Sequence, residues 1–235
     1  MVRVKICGIR SYEDAMAAVD AGASALGFNF WTGTPRYISP QLAAPIIARI
    51  PPDVWKVGVF VDEARERVLE IAAETGVSVL QLHGNESPDY WDQLDSFVRI
   101  KAFKVGSDFQ PEVLQGYRSA VAYLLDSSVR GMAGGTGQTF DWSLAARAKA
   151  YGNLLLAGGL TPENVGEAIR RVRPWGVDVC TGVESSPGKK DPRLIRKFME
   201  AVRTAESELE AEVPQGKLQQ ETHPADAVSS SIRRK

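Results

Sequence analysis

Two hydrophobic periods alternate along the chain. Short runs in which apolar residues recur at every second position, or run on unbroken, occupy 2–7, 25–30, 55–61, 78–82, 97–103, 120–126, 153–157 and 176–179, and read as strands. Between them lie segments with helical spacing at 12–21, 40–49, 65–74, 88–94, 111–116, 142–150, 162–171 and 192–204. Proline recurs at or near the first helical turn, where its missing N–H and fixed φ do no harm, and Thr161 before Pro162 reads as an N-cap. Eight strand-then-helix units with short connections predict an α/β fold. We read it as a single closed (β/α)8 TIM barrel over 1–204, at the small end for that architecture, with a doubly wound open sheet as the alternative. From 205 to 235 the pattern fades into Glu, Gln, Ser and Ala with few large apolar side chains, which predicts a disordered polar tail. A docking helix around 206–213 is the other reading of that stretch.

Side chains of a strand alternate between its two faces. In the first strand Val4 and Ile6 share one face, and Lys5 and Cys7 the other. If the apolar pair meets the helices, Cys7 points into the barrel mouth with Lys5 one layer below. In the eighth strand Val177 and Val179 face outward by the same logic, so Asp178 points inward. The first and eighth strands are neighbours in a closed barrel, and an unpaired buried charge is costly, so Lys5 and Asp178 are expected to pair. Cys180 shares the inward parity and is expected near Cys7, with an inactivating disulfide under oxidation and two reduced thiols as the alternatives.

The carboxyl ends of parallel strands are where such barrels bind ligands and do chemistry. Cys7 ends the first, as a candidate base or nucleophile. Asp126 ends the sixth, across the mouth, as a candidate acid; a loop or helix cap is the alternative use of Asp there. His83 ends the fourth, where a lone histidine is more often structural than catalytic. Arg36 in the second loop suits bidentate contact with a carboxylate, or plain solvation. Glycines mark the last three loops: 134–139, Gly158 and Gly159, and Gly182 beside Thr181. Backbone N–H groups can approach an anion there, and loops seven and eight are the usual phosphate site of this architecture.

Composition narrows the partners. A net charge of −1 gives no electrostatic case for nucleic acid. No apolar run approaches the ~20 residues needed to cross a bilayer. Two cysteines without a secretory signal predict a cytoplasmic protein, and two Cys with two widely spaced His match no closed metal site. The expected ligand is a small molecule; oligomeric state is not legible.

The motifs KICGIR, GFNFWTGTPRYISP, VGVFVDE, QLHGNE, LLDS, GGTGQTFDW, AGGLTPENV and GVDVCTGVESSPGKKD follow one another from Val2 to about Arg203. Taken together the chain resembles the phosphoribosylanthranilate isomerases of tryptophan biosynthesis. The resemblance implies Cys7 as general base, Asp126 as general acid and Arg36 as ligand of the anthranilate carboxylate. It places the phosphate on backbone around Gly158, Gly159, Thr181 and Gly182. It also implies an Amadori rearrangement that needs neither redox cofactor nor metal, because the protonated imine is the electron sink. Asp126 would need a raised pKa to hold its proton, and Cys7 a lowered one. The family usually carries two small hydroxyl residues before GVE, where this chain has Cys180 and Thr181. Two rivals share the barrel: the histidine-pathway aldose–ketose isomerase, which uses a carboxylate at the first strand end, and a non-catalytic phosphosugar-binding barrel.

Overall fold

The computed structural model describes residues 1–106, 108–126 and 142–212, with backbone alone for 142 and 143. The glycine-rich 134–139 segment and residues 213–235 lie outside the described residues. Eight parallel strands close a barrel in sequence order: β1 (Arg3–Cys7), β2 (Ala25–Asn29), β3 (Trp55–Phe60), β4 (Val79–Leu82), β5 (Val98–Lys104), β6 (Ala122–Asp126), β7 (Leu154–Ala157) and β8 (Gly176–Val179). Closure is made by β1 on β8, with Lys5 in register with Asp178. Helices α1 (Tyr12–Ala21), α2 (Pro40–Ile47), α3 (Arg65–Thr75), α4 (Pro88–Asp92), α5 (Trp142–Ala148), α6 (Val165–Val172) and α7 (Pro192–Ala211) follow the strands. The open-sheet alternative is thereby set aside.

Strand alternation sorts two cores. Outward residues such as Val4, Ile6, Val177 and Val179 join the large core beneath the helices. Inward residues, among them Ala25, Val57, Val79, Ile100, Ala102 and Leu124, fill the barrel. Its lower end is closed by the Arg3 guanidinium, 4.9 Å from the rings of both Trp55 and Trp175.

Four local expectations are corrected. The 111–117 segment is a 3-10 helix (Pro111–Tyr117) rather than an α-helix, because a seven-residue span holding Gly116 offers little to stabilise α geometry. Thr161 is not the N-cap of α6: residues 161–164 form a turn in which Asn164 Oδ1 accepts from the Thr161 N–H (2.8 Å), and the helix starts at Val165. A hairpin absent from the sequence reading, β9 (Glu184–Ser186) and β10 (Lys189–Lys190), turns at Pro187-Gly188, a dipeptide that signals turns. Finally, α7 runs through 205–211, so the polar tail does not begin at 205. Ala205 is buried and Leu209 packs on the core, while Glu208 and Glu212 pair with Arg170 (2.9 Å) and Arg173 (3.1 Å). Glu and Ala read as tail composition, yet both are good helix formers once one face has a surface to cover.

The β4–α4 loop is held by a buried ion pair. Lys101 Nζ donates to Glu86 Oε2 at 2.7 Å, and Glu86 also accepts from the backbone N–H groups of Asp62 and Gly84. Glu86→Ala strands a buried ammonium and is expected to cost about 3–5 kcal/mol. Urea denaturation reads this directly, and a loss below ~1 kcal/mol would mean the pair is not structural.

Candidate active site

β1 delivers Cys7 to the mouth and Lys5 below it. Lys5 Nζ donates to Asp178 Oδ1 at 2.8 Å, as the strand parity predicts. The room for this arrangement comes from Gly27 on the adjoining strand. A Cβ there would stand 2.8 Å from Cys7 Sγ and 3.0 Å from Lys5 Nζ, so any side chain would displace the thiol. Burial opposes the Lys5 charge, but Asp178 and Cys7 outweigh it and hold the ammonium protonated. Burial likewise pushes the Asp178 carboxyl up to about 6, against the pull of Lys5, which leaves it ionised at neutral pH.

Cys7 and Cys180 are neighbours, as the shared parity of the two strand ends predicts; both thiols are free, and Cys180 Sγ also lies 3.8 Å from Glu184 Oε1. The Cys180 S–H holds Cys7 well below the ordinary thiol range, against the effect of burial and with help from the Lys5 charge. Cys180 is pushed up by the same contact and by burial. The two shifts run in opposite directions, Cys7 toward the thiolate and Cys180 toward the thiol.

Asp126 ends β6, and His83 follows the end of β4. His83 Nε2 lies 3.4 Å from Asp126 Oδ2, and its Nδ1 lies 2.8 Å from Gln81 Nε2. With the Gln81 amide donating to Nδ1, the neutral imidazole carries its proton on Nε2, toward Asp126. Sequence reasoning missed Gln81, although its position two residues before His83 places both on one face of the strand.

Arg36 does not stand alone in its loop. Its Nε and Nη2 bind Glu184 Oε1 (3.1 Å) and Oε2 (2.7 Å), a residue 148 positions away. Glu184 also accepts from Lys190 Nζ at 3.0 Å. Burial alone would raise the Glu184 carboxyl, but Arg36 and Lys190 bring it below its usual range, and Glu184 raises Arg36 in turn.

Loops seven and eight meet as the phosphate expectation requires. Gly158 and Gly159 both take left-handed φ (90° and 66°), and a Cβ on Gly159 would enter open space. Gly182 lies in a 3-10 turn (Thr181–Val183) that passes so close to loop seven that a Cβ would fall 2.0 Å from the Leu160 carbonyl oxygen. Glycine is required there for close approach rather than for its φ. The site thus gathers Cys7, Asp126, His83, Arg36 and both glycine loops at one end of the barrel, on the strand ends and the loops that follow them.

Among the described residues no helix is long and apolar enough to cross a membrane. Residues 4–201 match the family described as N-(5'phosphoribosyl)anthranilate (PRA) isomerase. The N-(5'-phosphoribosyl)anthranilate isomerase of Geobacter sulfurreducens is 50% identical over 199 residues, covering 85% of this chain and 97% of its own. The crystal structure of phosphoribosyl anthranilate isomerase from Thermotoga maritima superposes with a TM-score of 0.81 at 43% identity, covering 87% of this chain and all of that one. Another solved isomerase, in complex with reduced 1-(o-carboxyphenylamino)-1-deoxyribulose 5-phosphate, gives a TM-score of 0.78 at 42% identity, with 87% and 100% of the two chains covered. The barrel and the length of the match agree, and the chain belongs to the phosphoribosylanthranilate isomerase family.

Proposed function

We propose that the aldose–ketose isomerisation of this family is carried here by Cys7 as general base and Asp126 as general acid. The reaction is the Amadori rearrangement of N-(5'-phosphoribosyl)anthranilate to 1-(2-carboxyphenylamino)-1-deoxyribulose 5-phosphate, a step of tryptophan biosynthesis. Asp126 gives a proton to the furanose ring oxygen, the C1'–O bond breaks, and the aniline nitrogen becomes a protonated imine. The Cys7 thiolate takes the proton from C2', whose electrons flow into the imine to give an enolamine. Tautomerisation to the ketone completes an isomerisation with no net gain or loss of protons or electrons.

The observation that carries this reading is the placement of Cys7 and Asp126 at the ends of β1 and β6 on one barrel mouth, with Lys5 beneath the thiol. A base must be deprotonated before substrate binds, and a thiol donor on one side with the Lys5 ammonium on the other favours that form. His83, with its Nε2 proton toward Asp126, orients the acid and lines the substrate pocket. Arg36 takes the anthranilate carboxylate. The backbone of Gly158, Gly159, Thr181 and Gly182 takes the 5'-phosphate, and Cys180 in place of a hydroxyl residue leaves those backbone donors unaffected. Two free thiols, one of them the base, suit a reducing compartment such as the cytoplasm.

The test is single-turnover conversion of freshly generated phosphoribosylanthranilate, followed by loss of anthranilate-type fluorescence. Rapid turnover by the purified full chain is expected. A folded protein inert on this substrate but active on the larger histidine-pathway aldose would reverse the assignment.

A further inference from the structure

The Arg36 carboxylate site is built from three residues, not one. Lys190 follows the Pro187-Gly188 turn and has a side chain with no exposed surface, yet it is charged. Its Nζ binds Glu184 Oε1 at 3.0 Å and the Cys180 carbonyl at 3.1 Å, and lies 3.7 Å from Cys180 Sγ. Its backbone N–H donates to Asp14 Oδ2 at 3.4 Å. Glu184 is 3% exposed and Arg36 20%, so the exposed member of the chain of charges is the arginine. The turn itself braces the same loop. A Cβ on Gly188 would stand 2.7 Å from both the Pro35 carbonyl oxygen and Arg10 Nη1, and Arg10 Nη1 in turn donates to Pro35 O at 3.2 Å.

Two consequences follow from elementary chemistry. Glu184 occupies the Nε–Nη2 edge of the guanidinium, which fixes its plane and leaves the Nη1–Nη2 edge for a second carboxylate. Charge counting gives the second. Arg36 and Glu184 alone cancel, and a neutral pair has little to offer an incoming anion. The buried Lys190 restores a net charge of one positive unit in the trio.

We propose that Glu184 and Lys190 are positioning and specificity residues: Glu184 aims Arg36, and Lys190 supplies the surplus charge that lets Arg36 bind the substrate carboxylate while still paired. This rests on the reading of Arg36 as the carboxylate ligand. It differs from a purely structural role in one respect: the loss must depend on the substrate having a carboxylate.

The experiment compares kcat and KM for phosphoribosylanthranilate and for its analogue without the carboxylate, N-(5'-phosphoribosyl)aniline. Four variants are needed: Arg36→Ala, Glu184→Asp, Lys190→Met and the double Glu184→Gln with Lys190→Met. Glu184→Asp keeps the negative charge while drawing the carboxylate back from the guanidinium of Arg36 and from Lys190, which share Oε1. The double variant removes both buried charges together, so no unpaired ion burdens folding. Thermal midpoints establish that each is folded. Arg36→Ala, Glu184→Asp and Lys190→Met are expected to raise KM for the carboxylated substrate by roughly 10- to 100-fold, the range for a hydrogen bond to a charged group, and the double variant, which keeps the net positive unit and loses the aim, by less than Lys190→Met. KM for the aniline analogue should move less than about threefold, the pattern of lost uniform binding confined to one group. If Arg36→Ala treats both substrates alike, the Arg36 reading fails and this proposal with it. If Arg36→Ala discriminates but the folded Glu184 and Lys190 variants do not, the proposal alone is overturned.

Discussion

Cys7→Ser is expected to lower kcat by about 10²–10⁴-fold and to leave KM within a few-fold, because a positioned general base contributes in the transition state and not in substrate binding. Serine fits the pocket left by Gly27 and keeps a hydrogen-bonding group beside Lys5 and Cys180. What it lacks is a pKa low enough to yield an anion at neutral pH. The tuning of the base is open to a second reading with no substrate present. Iodoacetamide should alkylate Cys7 with a pH midpoint below that of an ordinary thiol. Cys180→Ala should move that midpoint upward, because it removes the donor that stabilises the thiolate, while Cys180→Ser should retain most of the effect. The sign is fixed: losing a donor to the anion raises the pKa, so at any pH below it less thiolate is present and the alkaline shift appears in both alkylation and kcat/KM. A midpoint unchanged in Cys180→Ala would show that Lys5 alone activates the base.

Asp126→Asn is expected to cost a similar factor, about 10²–10⁴ in kcat, since the amide keeps the shape and the contact with His83 but has no proton to give. The two variants stall different steps, and a substrate deuterated at C2' separates them. With Cys7→Ser the C–H bond is broken in the limiting step, so a primary isotope effect is fully expressed. With Asp126→Asn ring opening limits, and the effect should collapse toward unity. A large isotope effect in Asp126→Asn would move Asp126 from ring opening to the proton transfer at C2'.

The chain by itself determines the barrel and much of its mouth. Period-two alternation places Val4 and Ile6 outward and Lys5 and Cys7 inward, and with Asp178 of β8 it specifies the pair that forms at 2.8 Å. These features are legible because a strand's two faces are a local property, and eight regular repeats with short connections favour closure. Only the tertiary structure decides what comes between elements. Gly27 carries no signal in the sequence, and only the pairing of β1 with β2 shows that it makes room for the thiol. Arg36 reads as a free loop arginine, yet the β9–β10 hairpin brings Glu184 to it from 148 residues away. His83 meets Asp126 only because β4 and β6 both end at the mouth. The last turns of α7 look like tail until α6 offers Arg170 and Arg173 to its glutamates. In each case the deciding contact joins residues from different elements. Local periodicity carries the identity of a face, but the partner that face meets is chosen by closure of the barrel and by the loops laid across its rim.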